Sequence, residues 1–367
     1  MPGAEKWHIS GFDWKANMPR LSNPPPKRSA SRAVRSYATV VRVGFVPLSD
    51  CAPAVAAFEH GVFTRHGVKV QMLRQPGWAS IRDGLIAGTL DAAHAPATLA
   101  FVQPEAGPRL ALRTAFLFNS QGNALTLSRA LHRRGLRDHR DLASEVRARK
   151  GGVPLTFAAV ARFSMHMVLL RQWLTMGGVD PDRDVRLVTL PPRQMEACLA
   201  AGHIDGYCAG EPWNTAAIAS GSGWTVATSR ELAPDHPEKA LLVTREFAEN
   251  RAGEHAALIG ALTRAAEWCD TAEGRQELPA LMSRPEWLNM PESVTAAAYQ
   301  NEGFIQFHRG GVNDPSPDKA AWLLSALRRE KLLRTPPARD AALLEAFDSA
   351  TWASAVRPTN HSTPSTL

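Results

Sequence analysis

Three side chains stand out as hydrogen-bond donors near the ends of predicted elements: Trp78, His166 and Lys239. Each could donate a hydrogen bond on the proposed cleft side, but composition alone leaves the three unranked. Each also has an ordinary reading: tryptophan as loop packing, His166 as a cap at a helix start, Lys239 as a solvated lysine. The stretch Tyr207-Cys208-Ala209-Gly210-Glu211-Pro212-Trp213-Asn214 adds a backbone candidate. Gly210 permits close approach to the main chain, and Pro212 suits the first position of a helix. A strand, a glycine and a helix N-terminus in that order make a seat for an anion.

Catalytic constellations do not emerge. The sequence holds no G-x-S-x-G, no G-x-G-x-x-G, no Walker A loop and no H-E-x-x-H. Twelve histidines are scattered without metal-ligand spacing, and Asp205 and Glu211 are too far apart around a strand to act as a pair. The expectation is a binding protein, not an enzyme, with no metal and no cofactor. Cys51, Cys198, Cys208 and Cys269 show no C-x-x-C spacing and read as small buried apolar residues.

The elements that would position these donors alternate between strand and helix. Val40–Val46 and Val68–Leu73 read as strands, with Ala52–His60 and Ile81–Ala87 as helices and Trp78 in the loop before the second. Such alternation indicates a parallel α/β sheet. An internal echo follows. Ala87-Gly88-Thr89-Leu90-Asp91-Ala92-Ala93-His94-Ala95 leads to Pro96, and Ala201-Gly202-His203-Ile204-Asp205-Gly206-Tyr207-Cys208-Ala209 leads to Pro212. Two such units point to two related lobes, and ligands of α/β sheets sit off the carboxyl ends of the strands. Ala124–Ser128 then crosses to the second lobe, where Leu155–Val160 and Val185–Leu190 are strands and Met165–Met176 is a helix. The chain is expected to return to the first lobe through Trp224–Ala227 and Lys239–Thr244. The expected organisation is lobe I from 39–124 and 228–355, lobe II from 125–227, and loose tails at 1–38 and 356–367.

A length of 367 residues, 44% hydrophobic and 21% charged, allows two lobes each with a real core. The net charge of +7 is mostly local. Residues 1–38 hold seven Lys/Arg against Glu5 and Asp13, so the body is near neutral and direct nucleic-acid binding is not expected. No apolar run reaches the length of a membrane span. The first 38 residues, with Pro24-Pro25-Pro26 and scattered charges, lack the apolar stretch of an export signal, so a cytoplasmic location is expected.

Six motifs fall in order: Val43-Gly44-Phe45-Val46-Pro47, Gly77 to Asp83, Gly177-Gly178-Val179-Asp180-Pro181, Pro191-Pro192-Arg193-Gln194-Met195, Cys208 to Asn214, and His236-Pro237-Glu238-Lys239-Ala240. Together they resemble the nitrate- and bicarbonate-binding proteins of ABC transporters, in the nitrate/sulfonate/taurine group, over about residues 40–355. The resemblance implies an α/β, two-lobed periplasmic-binding-protein-like (type II) fold that clamps its ligand between lobes. It also implies Trp78, His166, Gly210 and Lys239 as nitrate contacts, with an amide contact from Gln121 or Asn123. Nitrate accepts hydrogen bonds only, so its site needs donors and a positive charge with no acceptor facing it. Lysine rather than an acid at 239 therefore favours nitrate, and with it nitrite, over bicarbonate. Glu211 is expected to turn away and hold the turn. The N-terminus is most like the cytoplasmic nitrate/nitrite sensors, which by family analogy restrain an RNA-binding antiterminator. The alternative is an exported, periplasmic substrate-binding subunit that serves an ABC permease.

Overall fold

The computed structural model of the chain describes residues 40–102, 110–149, 151–300 and 303–357. The expected tail 1–38, and 358–367 of the expected C-terminal tail, lie outside the described residues. Among the described residues eleven strands fall into two sheets: β1 Val41–Phe45, β2 Val70–Arg74, β3 Ala92–Pro96, β4 Leu112–Gln121, β5 Asn123–Ser128, β6 Thr156–Ala159, β7 Arg186–Thr189, β8 Gly206–Gly210, β9 Gly223–Thr228, β10 Pro237–Thr244 and β11 Ile305–Gln306. The first sheet runs β11-β4-β10-β3-β1-β2, and the second runs β7-β6-β8-β5-β9. The chain passes between them at Gly122 and again between Thr228 and Pro237.

The two sheets share a plan. In each, a central strand (β1 or β6) pairs in parallel with both neighbours, and a strand arriving from the other lobe joins antiparallel (β10 on β3, β5 on β8). The sheets are therefore mixed where wholly parallel ones were expected. A chain that leaves one lobe and later returns inserts its returning strand in the opposite sense. β9, expected on the way back to lobe I, stays in the second sheet beside β5.

The echoed Asp residues explain themselves here. Asp91 N donates to Arg42 O at 2.9 Å, and Arg42 N donates to an Asp91 carboxylate oxygen at 2.8 Å. Asp205 N donates to Thr156 O at 2.7 Å, and Thr156 N donates to an Asp205 carboxylate oxygen at 2.8 Å. Each Asp satisfies the first backbone groups of the neighbouring parallel strand, a structural task that the sheet repeats in both lobes.

Several helices begin and end where the residue types direct. Ser164 caps Met165–Met176, accepting from Met167 N, and the helix stops at Gly177, before Gly178 at φ 70. Pro192 opens Pro192–Ala200. Two expectations shift. Trp78 is not in a loop but is the first residue of helix Trp78–Ile86. Pro212 is the N-cap of the short helix Trp213–Ala219 rather than its first residue. One apolar cluster spans the two lobes, taking Leu48 and Trp78 from the first and Tyr207 and Trp213 from the second. Across the cleft, Ser49 N donates to Glu211 O at 2.7 Å. Among the described residues no helix is long and apolar enough to cross a membrane. Cys51, Cys208 and Cys269 are buried, Cys198 is half-buried, and all four are free.

Candidate functional site

A buried polar cluster lies where the ends of the two sheets meet. Asp50 sits in the tight turn Ser49–Cys51 just past β1, His94 lies on β3, Asn123 opens β5, and His166 is in the first turn of Met165–Met176. Glu238 and Lys239 are near the start of β10. All are nearly inaccessible to solvent, and Lys239 is 0% exposed.

Lys239 is held from two sides. Its Nζ lies 2.7 Å from Asp50 Oδ2 and 2.7 Å from Glu238 Oε1. The second Glu238 oxygen accepts from Asn123 Nδ2 at 2.7 Å, and Asn123 Oδ1 lies 2.7 Å from His166 Nε2. His94 Nε2 stands 3.0 Å from the other Asp50 oxygen, and Lys239 Nζ is 5.7 Å from the centre of the Trp78 ring. Adjacent strand residues normally point to opposite faces. Glu238 and Lys239 nevertheless reach the same cluster, because the pairing of β10 with β4 shifts register between Pro237 and Lys239. This is a bulge of the kind that re-aims side chains beside functional sites.

The electrostatics follow from that geometry. Burial opposes charge on Lys239, but Asp50 and Glu238 outweigh it and raise its pKa. Burial alone would raise both carboxylates. Lys239 and His94 hold Asp50 well below its ordinary range, and Lys239, His166 and His236 do the same for Glu238. Burial lowers three histidines despite nearby carboxylates: His94; His166, to about 4; and His236, whose Nδ1 lies 3.7 Å from Glu238 Oε2. At neutral pH the cluster thus holds one cation, two carboxylates and three neutral imidazoles, a net charge of −1.

Of the expected contacts, the structure brings Trp78, Asn123, His166, Gly210 and Lys239 together. Gly210 ends β8, and a Cβ there would lie 3.4 Å from Asn123 Oδ1 and 3.5 Å from Asp50 Oδ2. Gln121 is occupied elsewhere: its amide donates to Asp235 at 3.1 Å. Trp78 Nε1 is buried and has no hydrogen-bond partner within the protein, nor has His166 Nδ1. Glu211 is buried, accepts from Thr215 N at 3.1 Å as a cap, and has its pKa raised by burial.

One expectation is corrected. The site was to be free of acceptors, yet two carboxylates grip Lys239. An ammonium this deep is sustained only by counter-charges. Sequence reasoning passed over Asp50, His94 and Glu238. The available signals were a histidine within the all-small strand Ala92–Pro96, an acid directly before Lys239, and an acid just past a strand's carboxyl end. A cavity of about 880 Å³ lies elsewhere, lined by Arg230, Asp270, Arg275, Tyr299 and Arg309, with no member of the cluster in its wall. Among the described residues no group of His, Cys, Asp and Glu is placed to hold a metal ion.

A family model described as NMT1-like matches residues 36–283. The chain belongs to the NMT1-like family. It is 35% identical over 304 residues to the nitrate import ATP-binding protein NrtC of Synechocystis sp., covering 78% of this chain and 45% of that protein. The bicarbonate transport ATP-binding protein CmpC of Synechococcus elongatus is also 35% identical, over 83% of this chain and 48% of its own length. The chain therefore spans about half the length of these curated relatives. The nitrate/nitrite binding protein NrtA of Nostoc sp. is 29% identical, over 73% of this chain and 62% of that protein. The crystal structure of the periplasmic nitrate-binding protein NrtA from Synechocystis superposes with a TM-score of 0.81 at 23% identity, covering 87% of this chain and 88% of that one. The two-lobed periplasmic-binding-protein fold expected from the motifs is the fold observed.

Proposed function

We propose that the chain binds nitrate, and with it nitrite, in the cleft between its lobes, as the substrate-binding part of an ABC-type uptake system. The observation that carries this reading is the Trp78 indole. Its N–H is buried without an acceptor in the protein, beside the buried ammonium of Lys239. A buried donor without a partner costs about 1–3 kcal/mol, and a small acceptor-only anion relieves that penalty. In this reading Trp78, His166, the Gly210 main chain and Lys239 contact the anion, Asn123 supports them, and Gln121 belongs to the chain crossing between lobes. Relatives are named for nitrate and, at equal identity, for bicarbonate, so they support a small oxyanion, and the choice of nitrate between them rests on the donors Trp78 and Lys239. Binding without catalysis fits a cluster that holds no nucleophile with a base.

Isothermal titration calorimetry with nitrate, nitrite and bicarbonate tests this directly. Nitrate is expected to bind and Lys239→Ala to abolish it. Absence of nitrate binding, or full affinity in Lys239→Ala, would refute the assignment.

A second reading is favoured by one observation: identity is higher to stretches of ATP-binding proteins than to NrtA. The chain has no Walker A loop, so the likeness lies outside that nucleotide-binding motif. This supports a module that works beside the ATP-binding part of an import system; a cytoplasmic sensor acting on an RNA-binding antiterminator is the reading that the motif resemblance alone suggests. Lobe closure can signal in this way only where the partner binds open and closed forms with different affinity. Co-purification with an antiterminator, released by nitrate, would favour the sensor; nitrate-independent association with a permease and ATPase would favour transport. Fractionation of the native cell decides between cytoplasm and periplasm.

A further inference from the structure

We propose that the cleft takes up a proton together with an acceptor-only monoanion, at Nδ1 of His166, and that Asn123 is the positioning residue that leaves this nitrogen free to receive it. The inference rests on the anion-binding reading above and adds a proton to it.

Hydrogen-bond direction fixes the tautomer. Lys239 donates to Glu238 Oε1, and Glu238 Oε2 can only accept, so the Asn123 group facing it is the NH₂. Asn123 Oδ1 must then accept from His166, which places the imidazole hydrogen on Nε2. His166 Nδ1 is left as a bare lone pair, buried and without a partner in the protein. A lone pair cannot donate to nitrate. With a proton on Nδ1, the imidazolium keeps its bond to Asn123 and gains a second N–H for the anion.

Charge leads to the same place. Glu238 and Lys239 from β10, Asp50 from the turn after β1, and His236 just before β10 are the charged and titratable groups acting on the His166 ring. Cys208 of β8, held as a neutral thiol by burial, adds no charge. The cluster has a net charge of −1, and a monoanion would bring it to −2 in a site closed to water. One proton from solvent restores the balance. Both Glu238 oxygens and Asp50 Oδ2 already hold donors, and Asp50 Oδ1 faces His94 Nε2 at 3.0 Å. His94 Nδ1 and His236 Nε2 are also without a partner, but of the three rings only His166 belongs to the set that contacts the anion in the reading above, so its Nδ1 is the nitrogen where a proton adds a donor for the ligand. Neutral burial keeps that nitrogen unprotonated in the ligand-free protein, at a pKa of about 4. The bound anion raises that value, so the proton enters with the ligand. Bicarbonate differs in kind, because it brings its own O–H to a carboxylate.

Calorimetry of the full chain with nitrate, in buffers of different ionisation enthalpy, reads the proton count. About one proton per nitrate is expected, with Kd weakening by about tenfold per pH unit as pH rises from about 5.5 to 7. Bicarbonate, where it binds, is expected to take up none. In His166→Gln the uptake is expected to vanish along with the pH slope. Nitrogen-15 histidine spectra of the unaltered protein check the tautomer without any variant. They are expected to show Nε2–H without ligand and a doubly protonated ring with nitrate. Nitrate binding with no proton uptake overturns this inference alone, as does a His166 ring that stays neutral when nitrate is bound. Uptake that persists in His166→Gln overturns the assignment to that residue. No nitrate binding at any pH refutes the functional reading beneath it.

Discussion

Replacing Lys239 with alanine is the sharpest perturbation of the cluster. The ammonium is fully buried and bridges two carboxylates, each at 2.7 Å. Removing one partner of a buried pair costs about 3–5 kcal/mol, because the remaining charge is left without compensation. Here the loss leaves Asp50 and Glu238 together with no cation, so the upper end of that range applies. At about 2–4 °C per kcal/mol for domains of this size, the melting temperature should fall by about 10 °C or more. Thermal unfolding followed by circular dichroism, from about pH 5 to 8, is the assay. Loss of the cation raises both carboxyl pKa values toward protonation, so the deficit should shrink as pH falls. Lys239→Ala melting within about 2 °C of the parent at neutral pH, or a deficit that grows on acidification, would refute the charge assignment.

Other perturbations separate binding from folding. Trp78→Phe removes the unpartnered N–H while keeping the ring, so the ligand-free protein should be at least as stable by thermal melts. Nitrate affinity measured by calorimetry should nevertheless weaken by about 10–100-fold. Gly210→Val places branches against Asn123 and Asp50 and should weaken nitrate binding by about tenfold or more in calorimetry, with an overpacking cost of about 1–3 kcal/mol in denaturant unfolding. Asp205→Ala breaks the repeated sheet bond and a partly exposed ion pair with Arg149 at 3.4 Å, and should cost about 1–2 kcal/mol in a denaturant titration while leaving nitrate affinity intact. His166, with its folded pKa at about 4 against 6.5 unfolded, binds fewer protons folded than unfolded. Stability should therefore fall as pH drops from about 6.5 to 4, by roughly 3 kcal/mol from this residue, and His166→Gln should flatten that part of a pH–stability profile.

The fold was legible because its signals are local. Buried β-runs, Ser164 before an apolar helix, and Gly177-Gly178 after it name their own positions. The echo around Asp91 and Asp205 disclosed two lobes because both sheets need the same backbone bond. Part of the cluster was legible through family motifs that include Trp78, Gly210 and Lys239. The rest depends on contacts between distant parts of the chain. Nothing in the order of residues tells that Asp50 meets Lys239, nearly two hundred positions later, or that Asn123 stands between Glu238 and His166. Strand alternation predicts that Glu238 and Lys239 diverge, and only the slipped pairing with β4 brings them together.

That slipped pairing has a consequence for how ligand preference can change. Because residues 238 and 239 share one side of the cleft, the acid and the base occupy neighbouring codons with the backbone already placed for both. A single substitution at either position resets the charge at the centre of the cleft by one or two units without rebuilding the lobes. A shift between an anion that only accepts hydrogen bonds and one that also donates is then a short mutational step. The two-residue cassette lets one scaffold diversify its cargo.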